Sequence, residues 1–327
     1  MITDTADKIT EYISQKGQTT AKDLANYLGI SSQALFKQLA KLLANGKIYK
    51  VGKPPRVFYY LNNKLPKTDI EAEEIDKETK AILEDSFLTI TPGGERKEGI
   101  EGFAFWCQKT GQPIAKTAQE YVRTLEKYDR FKKDGVIDGI HKIENSFSRV
   151  FLDHIFYLDF YSIERFGKTK LGQMLLYAKQ SQNKTLIREL IMDIEPKIQQ
   201  LIKKHDISAV GFIPPTVKRE VQFMKELESH SLLHIPKIKI VKVQTEIAVP
   251  QKTLTRIEDR IENARTTIIV DSEQKYRNIL LVDDAVGSGA TLNETAAQIK
   301  SRGLCTGKII GLAITGSFKG FDVISEV

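Results

Sequence analysis

The sequence predicts an α/β protein in which a parallel β-sheet flanked by helices is preceded by a small helical domain and a middle region. The apolar run Ile279–Val282 is typical of a strand buried on both faces, and a glycine-containing loop and a helical pattern follow it. Three helical patterns and a basic hairpin occupy roughly the first sixty residues. The length of 327 residues suits two or three domains.

The net positive charge of the chain comes entirely from its N-terminal part. The chain contains 49 Lys and Arg and 42 Asp and Glu, which gives a net charge of +7. Residues 1–67 hold eleven of the basic and four of the acidic residues, so the rest of the chain is balanced at 38 of each. A basic excess in one small domain is expected where that domain alone binds a polyanion.

Hydropathy and cysteine content narrow the class of protein. The apolar runs are short and no signal-peptide pattern is seen at the N-terminus, so we expect a cytoplasmic protein with no membrane insertion. With only two cysteines, Cys107 and Cys305, neither a disulfide scaffold nor a cysteine-rich zinc site is expected.

Helical patterns in the first sixty residues alternate with stop and start signals. Gly17 and Gly29 follow the first two patterns, and Ser31, a residue type that caps helices, precedes the third. The predicted elements are helices at 3–16, at Ala21–Leu28 and after Ser31, and then strands at Ile48–Val51 and Val57–Leu61. Leucines share one face of the third helix, which leaves polar and cationic residues on the other face.

This order of helices and hairpin resembles the winged helix-turn-helix family over residues 1–62. In that family the third helix enters the major groove of DNA, and cations of the hairpin contact phosphates. The resemblance implies groove contacts from Ser32, Gln33, Lys37 and Lys41 and backbone contacts from Lys53 and Arg56. The alternative is a protein–protein module whose lysines are only solvated.

Two stretches separate this domain from the predicted sheet. Residues 68–85 are acidic and are predicted to form a linker or a solvated helix. Within residues 86–150 we predict a strand at Phe87–Thr91, an extended segment near Gly102–Trp106 and a helix from Ile114 to near Gly135. The aromatic residues of this region could line a base-binding pocket, but packing in the core is favoured.

The stretch 278–295 contains the clearest chemistry. Asp283 and Asp284 follow the strand, a glycine-containing loop comes next, and a helix is predicted from near Thr291. Ligands bind outside the carboxyl ends of parallel strands, where a helix N-terminus presents free N–H groups to an anion. The loop contains no lysine, so the P-loop signature of nucleoside triphosphatases is absent.

This stretch resembles the phosphoribosyl pyrophosphate (PRPP) motif of type I phosphoribosyltransferases, and the implied fold is the phosphoribosyltransferase type of α/β sheet. The resemblance implies that Asp283 and Asp284 are the catalytic residues, which bind the ribose hydroxyls and help to hold Mg²⁺ on the pyrophosphate. The loop that would enclose the 5-phosphate consists of Ala285, Val286, Gly287, Ser288, Gly289, Ala290 and Thr291.

A narrower resemblance, to the ComF group of amidophosphoribosyltransferase-like proteins, covers about residues 155–316. It rests on residues 161–179 and 210–219 and on Gln251, Leu254, Arg260 and Asn263. It implies pyrophosphate contacts from Lys218, Arg219, Arg256 and Arg260. Many ComF proteins begin with a cysteine-rich zinc element that this chain lacks, and we expect residues 86–150 to replace it as a hood that selects the acceptor.

Together these patterns predict a DNA-binding protein with a PRPP site. The predicted segments are a winged helix-turn-helix domain at 1–67, an acidic linker at 68–85, a middle or hood region at 86–150 and a phosphoribosyltransferase-type domain at 151–327. The architecture resembles that of the purine repressors, which favours a regulator that responds to PRPP or to a nucleotide containing ribose 5-phosphate. The alternatives are an active transferase that moves ribose 5-phosphate to a nitrogen acceptor and a ComF-like DNA-processing or competence accessory. The sequence leaves the oligomeric state open, with a homodimer as one option.

Overall fold

The computed structural model describes residues 4–62, 75–217, 219–230, 235–243, 246–247 and 249–317. The chain divides into two compact units, which run over residues 1–73 with 92–95 and over residues 74–91 with 96–327. Each unit has its own hydrophobic core and is described separately below.

The first unit combines three helices with a small antiparallel sheet. Its elements are α1 (Thr5–Lys16), β1 (Thr19–Thr20), α2 (Ala21–Leu28), α3 (Ser32–Ala44), β2 (Ile48–Lys53) and β3 (Arg56–Leu61), with the strands in the order β1-β3-β2. The three predicted helices and two predicted strands are confirmed, each within two residues. Helix α2 begins at a capping box, in which the Asp23 N–H donates to Thr20 Oγ1 over 3.2 Å.

The second unit begins with a helical segment that continues into a sheet. Its first half contains α4 (Lys77–Ser86), β4 (Leu88–Ile90), β5 (Arg96–Glu98), α5 (Gly99–Thr110), α6 (Ile114–Asp129), β6 (Lys132–Lys133), β7 (Val136–Asp138), α7 (Ile140–Glu144) and β8 (His154–Phe160). Its second half contains β9 (Ser162–Ile163), β10 (Gly167–Lys168), α8 (Lys170–Ser181), α9 (Lys184–Lys204), β11 (Ala209–Phe212), α10 (Phe223–His230), β12 (Lys237–Ile238), β13 (Ile240–Lys242), α11 (Ile257–Thr267), β14 (Ile268–Val270), β15 (Ile279–Val286), α12 (Ala290–Ser301) and β16 (Ile309–Gly316).

A mixed, largely parallel seven-stranded sheet forms the centre of this unit. The strand order is β12-β11-β15-β16-β8-β7-β6. The first five strands are parallel to one another, β7 pairs antiparallel with β8, and β6 pairs antiparallel with β7. Successive residues of β15 enter two different hydrophobic clusters, Ile279 and Leu281 in one and Leu280 and Val282 in the other. Because side chains alternate along a strand, the two clusters cover opposite faces of the sheet. The predicted α/β class, with a largely parallel sheet flanked by helices, is therefore confirmed.

The middle region differs from the prediction in two elements. Residues 102–106, predicted to be extended, lie inside helix α5. The aromatic residues favoured a strand locally, but Phe103 and Cys107, four residues apart, are both fully buried on one helical face. Gly102 allows the close approach of this helix to β5, because a Cβ there would lie 2.6 Å from the carbonyl oxygen of Lys97. Helix α6 ends at Asp129, which is earlier than predicted.

Several aromatic residues of the middle region form part of the core. Trp106 packs against Phe87, Phe103 and Phe166, with ring centroids 5.6 to 6.4 Å apart. The prediction that these aromatic residues pack in the core is therefore confirmed for Trp106. Within the acidic stretch 68–85, helix α4 buries Leu83 in the same cluster, whereas residues 68–74 lie outside the described part.

Neither cysteine of the chain is in a disulfide. Among the described residues, none of the helices combines the length and the apolar character needed to cross a bilayer.

Candidate ligand-binding site at the carboxyl ends of β11 and β15

A cavity of about 200 Å³ opens at the carboxyl ends of two neighbouring parallel strands, β11 and β15. The chain leaving β11 stays beside β15, since the Ile213 N–H donates to the Val282 carbonyl over 2.8 Å. The lining residues are Lys179, Ile213–Val217, Arg219, Gln222–Met224, Lys242, Pro250, Gln251, Arg260 and Asp283–Leu292. This is the edge where α/β sheets bind ligands.

Strand β15 extends farther into the site than the sequence indicated. It continues through Val286, and Ala285 pairs with Thr315 of β16. Ala285 and Val286, which the resemblance assigned to an enclosing loop, are therefore strand residues, and the turn consists of residues 287–289 alone. Pairing with β16 explains the difference, because the neighbouring strand supplies hydrogen bonds that local sequence does not reveal. All seven residues assigned to the loop line the cavity.

The first carboxyl group, Asp283, is held in a tightly packed setting. Its Oδ1 accepts the N–H of Asp284 over 2.8 Å. Burial, and secondly the adjacent charge of Asp284, raises the pKa of Asp283 to about 7, although Lys179 and Lys242 act in the opposite direction. A carboxyl group of this kind releases its proton readily when a cation or a hydrogen-bond donor approaches it.

The second carboxyl group, Asp284, is paired with a lysine that the sequence did not single out. The Lys179 Nζ lies 2.8 Å from Asp284 Oδ2, and the two side chains are only 12% and 17% exposed. Lys179 comes from the last turn of α8, more than a hundred residues away in the chain, so no local spacing connects it with the acidic pair. The only signal was its place at the end of the stretch 161–179, which carried the ComF resemblance.

A second lysine, Lys242, also lines the cavity without having been predicted. Its Nζ donates to Thr216 Oγ1 over 2.8 Å. Burial lowers the pKa of Lys242, while the nearby charge of Asp283 counteracts this effect. Each aspartate of the pair therefore has a lysine within its electrostatic reach.

The turn after β15 leads directly into the N-terminus of α12. The first hydrogen bond of that helix runs from the Asn293 N–H to the Gly289 carbonyl over 2.9 Å, so the N–H groups of the first turn have no intrahelical acceptor. Ser288 is buried, and its Oγ accepts the Ala290 N–H over 3.3 Å. The helix end thus presents backbone donors and a partial positive charge to the cavity.

The position of this helix end is fixed by a buried asparagine. Asn293 is fully buried, accepts the Phe151 N–H at its Oδ1 over 2.8 Å and donates from Nδ2 to the Arg149 carbonyl over 3.1 Å. Both partners belong to the segment that leads into β8, so the start of α12 is attached to a second part of the fold. Sequence reasoning missed this positioning residue because its partners are distant in the chain.

The structure brings two of the four predicted pyrophosphate cations to the cavity. Arg219 and Arg260 line it, and Arg260 is buried, with its Nε donating to the Leu254 carbonyl over 2.8 Å. Arg256 is not among the lining residues; its side chain is 73% exposed and its Nε lies 3.7 Å from Glu258. Lys218 lies outside the described residues.

Four of the six residues predicted to contact DNA are exposed on the first unit's third helix, α3. Ser32, Gln33, Lys37 and Lys41 are all exposed on α3, whose opposite face is buried. Arg56 is exposed at the start of β3, and the side chain of Lys53 lies outside the described part. Phe36 lies on the same exposed face and is 53% exposed; sequence reasoning did not select it.

The acidic pair does not fit a metal centre that the protein provides by itself. No group of three or more His, Cys, Asp and Glu side chains with metal-binding geometry is found in the described chain. One carboxylate is already paired with Lys179, and Lys242 acts on the other. Magnesium commonly combines one or two carboxylates with substrate phosphates, so the pair fits this ion only as the companion of a ligand that carries its own phosphates.

No protein-family model matches the sequence, and no curated protein matches it significantly. Function is therefore inferred from the chemistry of the cavity. Two carboxylates that can accept hydrogen bonds from hydroxyl groups lie beside backbone N–H groups and cations that can bind an anion. This combination suits a phosphorylated ligand that also carries neighbouring hydroxyl groups.

We expect Gly289→Ala to distort the turn at the cavity. Gly289 has a φ of +81°, and a Cβ there would lie 2.6 Å from Ile143 Cδ1, whereas Gly303 has a φ of +63° and open space around it. Both Gly→Ala variants should lose about 1 kcal/mol of unfolding free energy through left-handed strain. Gly289→Ala should lose a further 1–3 kcal/mol or so through overpacking, measured by guanidinium unfolding.

A second substitution separates these two causes. Ile143→Val removes the Cδ1 atom, so in the Gly289→Ala background it should cost less than in the wild type. Equal losses for Gly289→Ala and Gly303→Ala would contradict the steric explanation.

We expect Asp283→Asn to stabilise the ligand-free protein at alkaline pH. Because the pKa of Asp283 is raised from 3.8 to about 7 in the folded state, the protonated form contributes stability that is complete below about pH 4 and is lost as pH rises through 7. Asparagine cannot ionise, so the variant should exceed the wild type by about 1–3 kcal/mol at pH 8 and converge with it only near pH 4.

Unfolding in guanidinium at both pH values measures this difference. Asp193→Asn, which changes an exposed carboxylate of α9, is the control and should show no such dependence. A loss of stability for Asp283→Asn at pH 8 would disprove the assigned cause.

Proposed function

We propose that the cavity binds the ribose 5-phosphate group of PRPP or of a nucleotide and that the first unit binds DNA as a winged helix. The protein is then a regulator whose affinity for DNA responds to this ligand. The observation that carries the proposal is that the Asp283–Asp284 pair and the N-terminus of α12 line the same cavity.

The two ends of a ribose 5-phosphate have matching partners in this cavity. A phosphate at the turn would accept hydrogen bonds from the first N–H groups of α12 and from the hydroxyls of Ser288 and Thr291. The ribose hydroxyls would donate to the carboxylates of Asp283 and Asp284. This placement supports the phosphoribosyltransferase-type interpretation of the fold, with the strand β15, the acidic pair and the amide-rich turn in sequence.

The cations that line the cavity support PRPP as one of the ligands. Arg219, Lys242 and Arg260 would face the pyrophosphate, which brings its Mg²⁺ with it. They also favour a second candidate function, an active phosphoribosyltransferase. In that reaction the C1–O bond to pyrophosphate breaks, a nitrogen acceptor forms the new bond to C1, and the protein contributes mainly positioning and electrostatic stabilisation.

The DNA-binding half of the proposal rests on charge and exposure. All of the chain's excess positive charge lies within residues 1–67. Gln33, Lys37 and Lys41, spaced four residues apart, form one exposed row on α3 beside Phe36. A major groove admits such a helix, in which amide and cationic side chains contact base edges and an aromatic ring contacts thymine methyl groups.

Calorimetry with PRPP and Mg²⁺ tests the ligand. We expect the wild type to bind PRPP and the variant Asp283→Asn, Asp284→Asn to bind it roughly tenfold or more weakly, because hydrogen bonds to charged groups contribute about 1.5–3 kcal/mol each. The exposed variant Asp193→Asn is the matched control and should bind like the wild type. Failure of the wild type to bind PRPP, ribose 5-phosphate and nucleotides would exclude the proposal. Pyrophosphate release that depends on an added base or amine would favour the transferase over the regulator.

Salt dependence tests the DNA contact. On a mixed-sequence duplex, Arg56→Gln should reduce the slope of log K against log salt by about 0.9, since one phosphate contact is lost. Lys8→Gln removes the same charge from an exposed position on α1 and should leave the slope close to the wild-type value. Equal slopes for all three proteins would argue against a wing contact at Arg56. If the wild type binds DNA equally with and without PRPP, the ligand does not regulate it.

A further inference from the structure

Lys179 occupies an unusual place for a lysine. Its ammonium group lies 2.8 Å from Asp284 Oδ2 at the cavity wall, and the lysine and aspartate side chains are 12% and 17% exposed. The neighbouring residues of α8, Leu175, Leu176 and Ala178, are buried, which fixes the last turn of this helix against the core. Lys179 is therefore held at the acidic pair by the packing of the helix that carries it.

The two lysines balance the charge of the acidic pair without a metal ion. Lys179 is paired with Asp284, and Lys242 acts electrostatically on Asp283 while its Nζ donates to Thr216. Among the described residues that line the cavity, four cations, Lys179, Arg219, Lys242 and Arg260, face two carboxylates. The described lining thus has an excess of two positive charges when both carboxylates are ionised.

We propose that Lys179, with Lys242, takes the place of a divalent cation, so that the cavity binds a 5′-phosphoribosyl monoester without metal. This inference rests on the proposed function and names its ligand class as ribose 5-phosphate or a nucleoside 5′-monophosphate. A phosphomonoester carries about −1.5 to −2 charges at pH 7, which matches the positive excess of the cavity. PRPP also carries a pyrophosphate group, which adds about three further negative charges. The cavity does not balance these charges, so the binding of PRPP requires Mg²⁺.

The ion pair itself opposes the entry of a metal ion. A divalent cation that coordinates Asp284 has to displace an ammonium group that is largely removed from water, and the displaced lysine then remains without its partner. Separating a largely buried pair in this way is costly. Lys179 is therefore a specificity-determining residue, which favours a metal-free monoester over a metal-bound diphosphate.

Calorimetry with ribose 5-phosphate and adenosine 5′-monophosphate, in EDTA and in Mg²⁺, tests this inference. For the wild type we expect affinities that agree within about twofold in the two conditions. Lys179→Met leaves Asp284 unpaired; it should bind at least tenfold more weakly in EDTA and recover part of this loss in Mg²⁺, because the vacated carboxylate can then accept the ion. A merely structural role for Lys179 would not create this dependence on metal.

Two further variants complete the design. Lys179→Arg retains the positive charge and should bind without metal to within a few-fold of the wild type, whereas Lys203→Met, at an exposed position of α9, should behave like the wild type. If the wild type needs Mg²⁺ for ribose 5-phosphate, or if Lys179→Met binds normally in EDTA, the inference is wrong while the proposed function stands. If neither the monoesters nor PRPP with Mg²⁺ bind, the proposed function fails as well.

Discussion

Two adjacent carboxylates near the end of a central strand impose the constraint on which the site depends. Neighbouring negative charges in a tightly packed setting are unfavourable, and the raised pKa of Asp283 reflects this cost. The fold compensates by bringing Lys179 from α8 and Lys242 from β13 to the same place. Three elements that are distant in the chain are thus coupled through the charges of four side chains.

The two aspartates lie between rigid elements and a turn whose backbone conformation only glycine adopts easily. Strand β15 is buried on both faces, and Asn293 attaches the start of α12 to the segment before β8. Between these fixed elements, the turn at Gly289 has a positive φ and lies close to Ile143. Ligand sites benefit from such rigidity because donors that already face the ligand need no ordering when it binds.

Charge is distributed between the two parts of the chain according to the roles proposed for them. The excess of positive charge belongs to residues 1–67, whereas the remainder is balanced overall, and four of its cations line the cavity. A diffuse positive surface suits a long polyanion, and a small enclosed excess suits a single phosphorylated ligand. Under the proposed function, the same type of residue would support two kinds of recognition in one chain.

The sequence by itself determined the features that depend on neighbouring residues. The glycines Gly17 and Gly29 bounded α1 and α2, capping at Ser31 and leucine spacing defined α3, and an apolar run followed by Asp283 and Asp284 located β15 and its turn. The tertiary structure alone decided which distant side chains meet. Lys179 and Lys242 entered the site from other elements, Asn293 found its partners in the segment before β8, β16 lengthened β15 by pairing, and burial of Phe103 and Cys107 made α5 a helix. Local propensity reports on contacts within a few residues, whereas ion pairing, strand pairing and burial depend on positions that only the folded chain brings together.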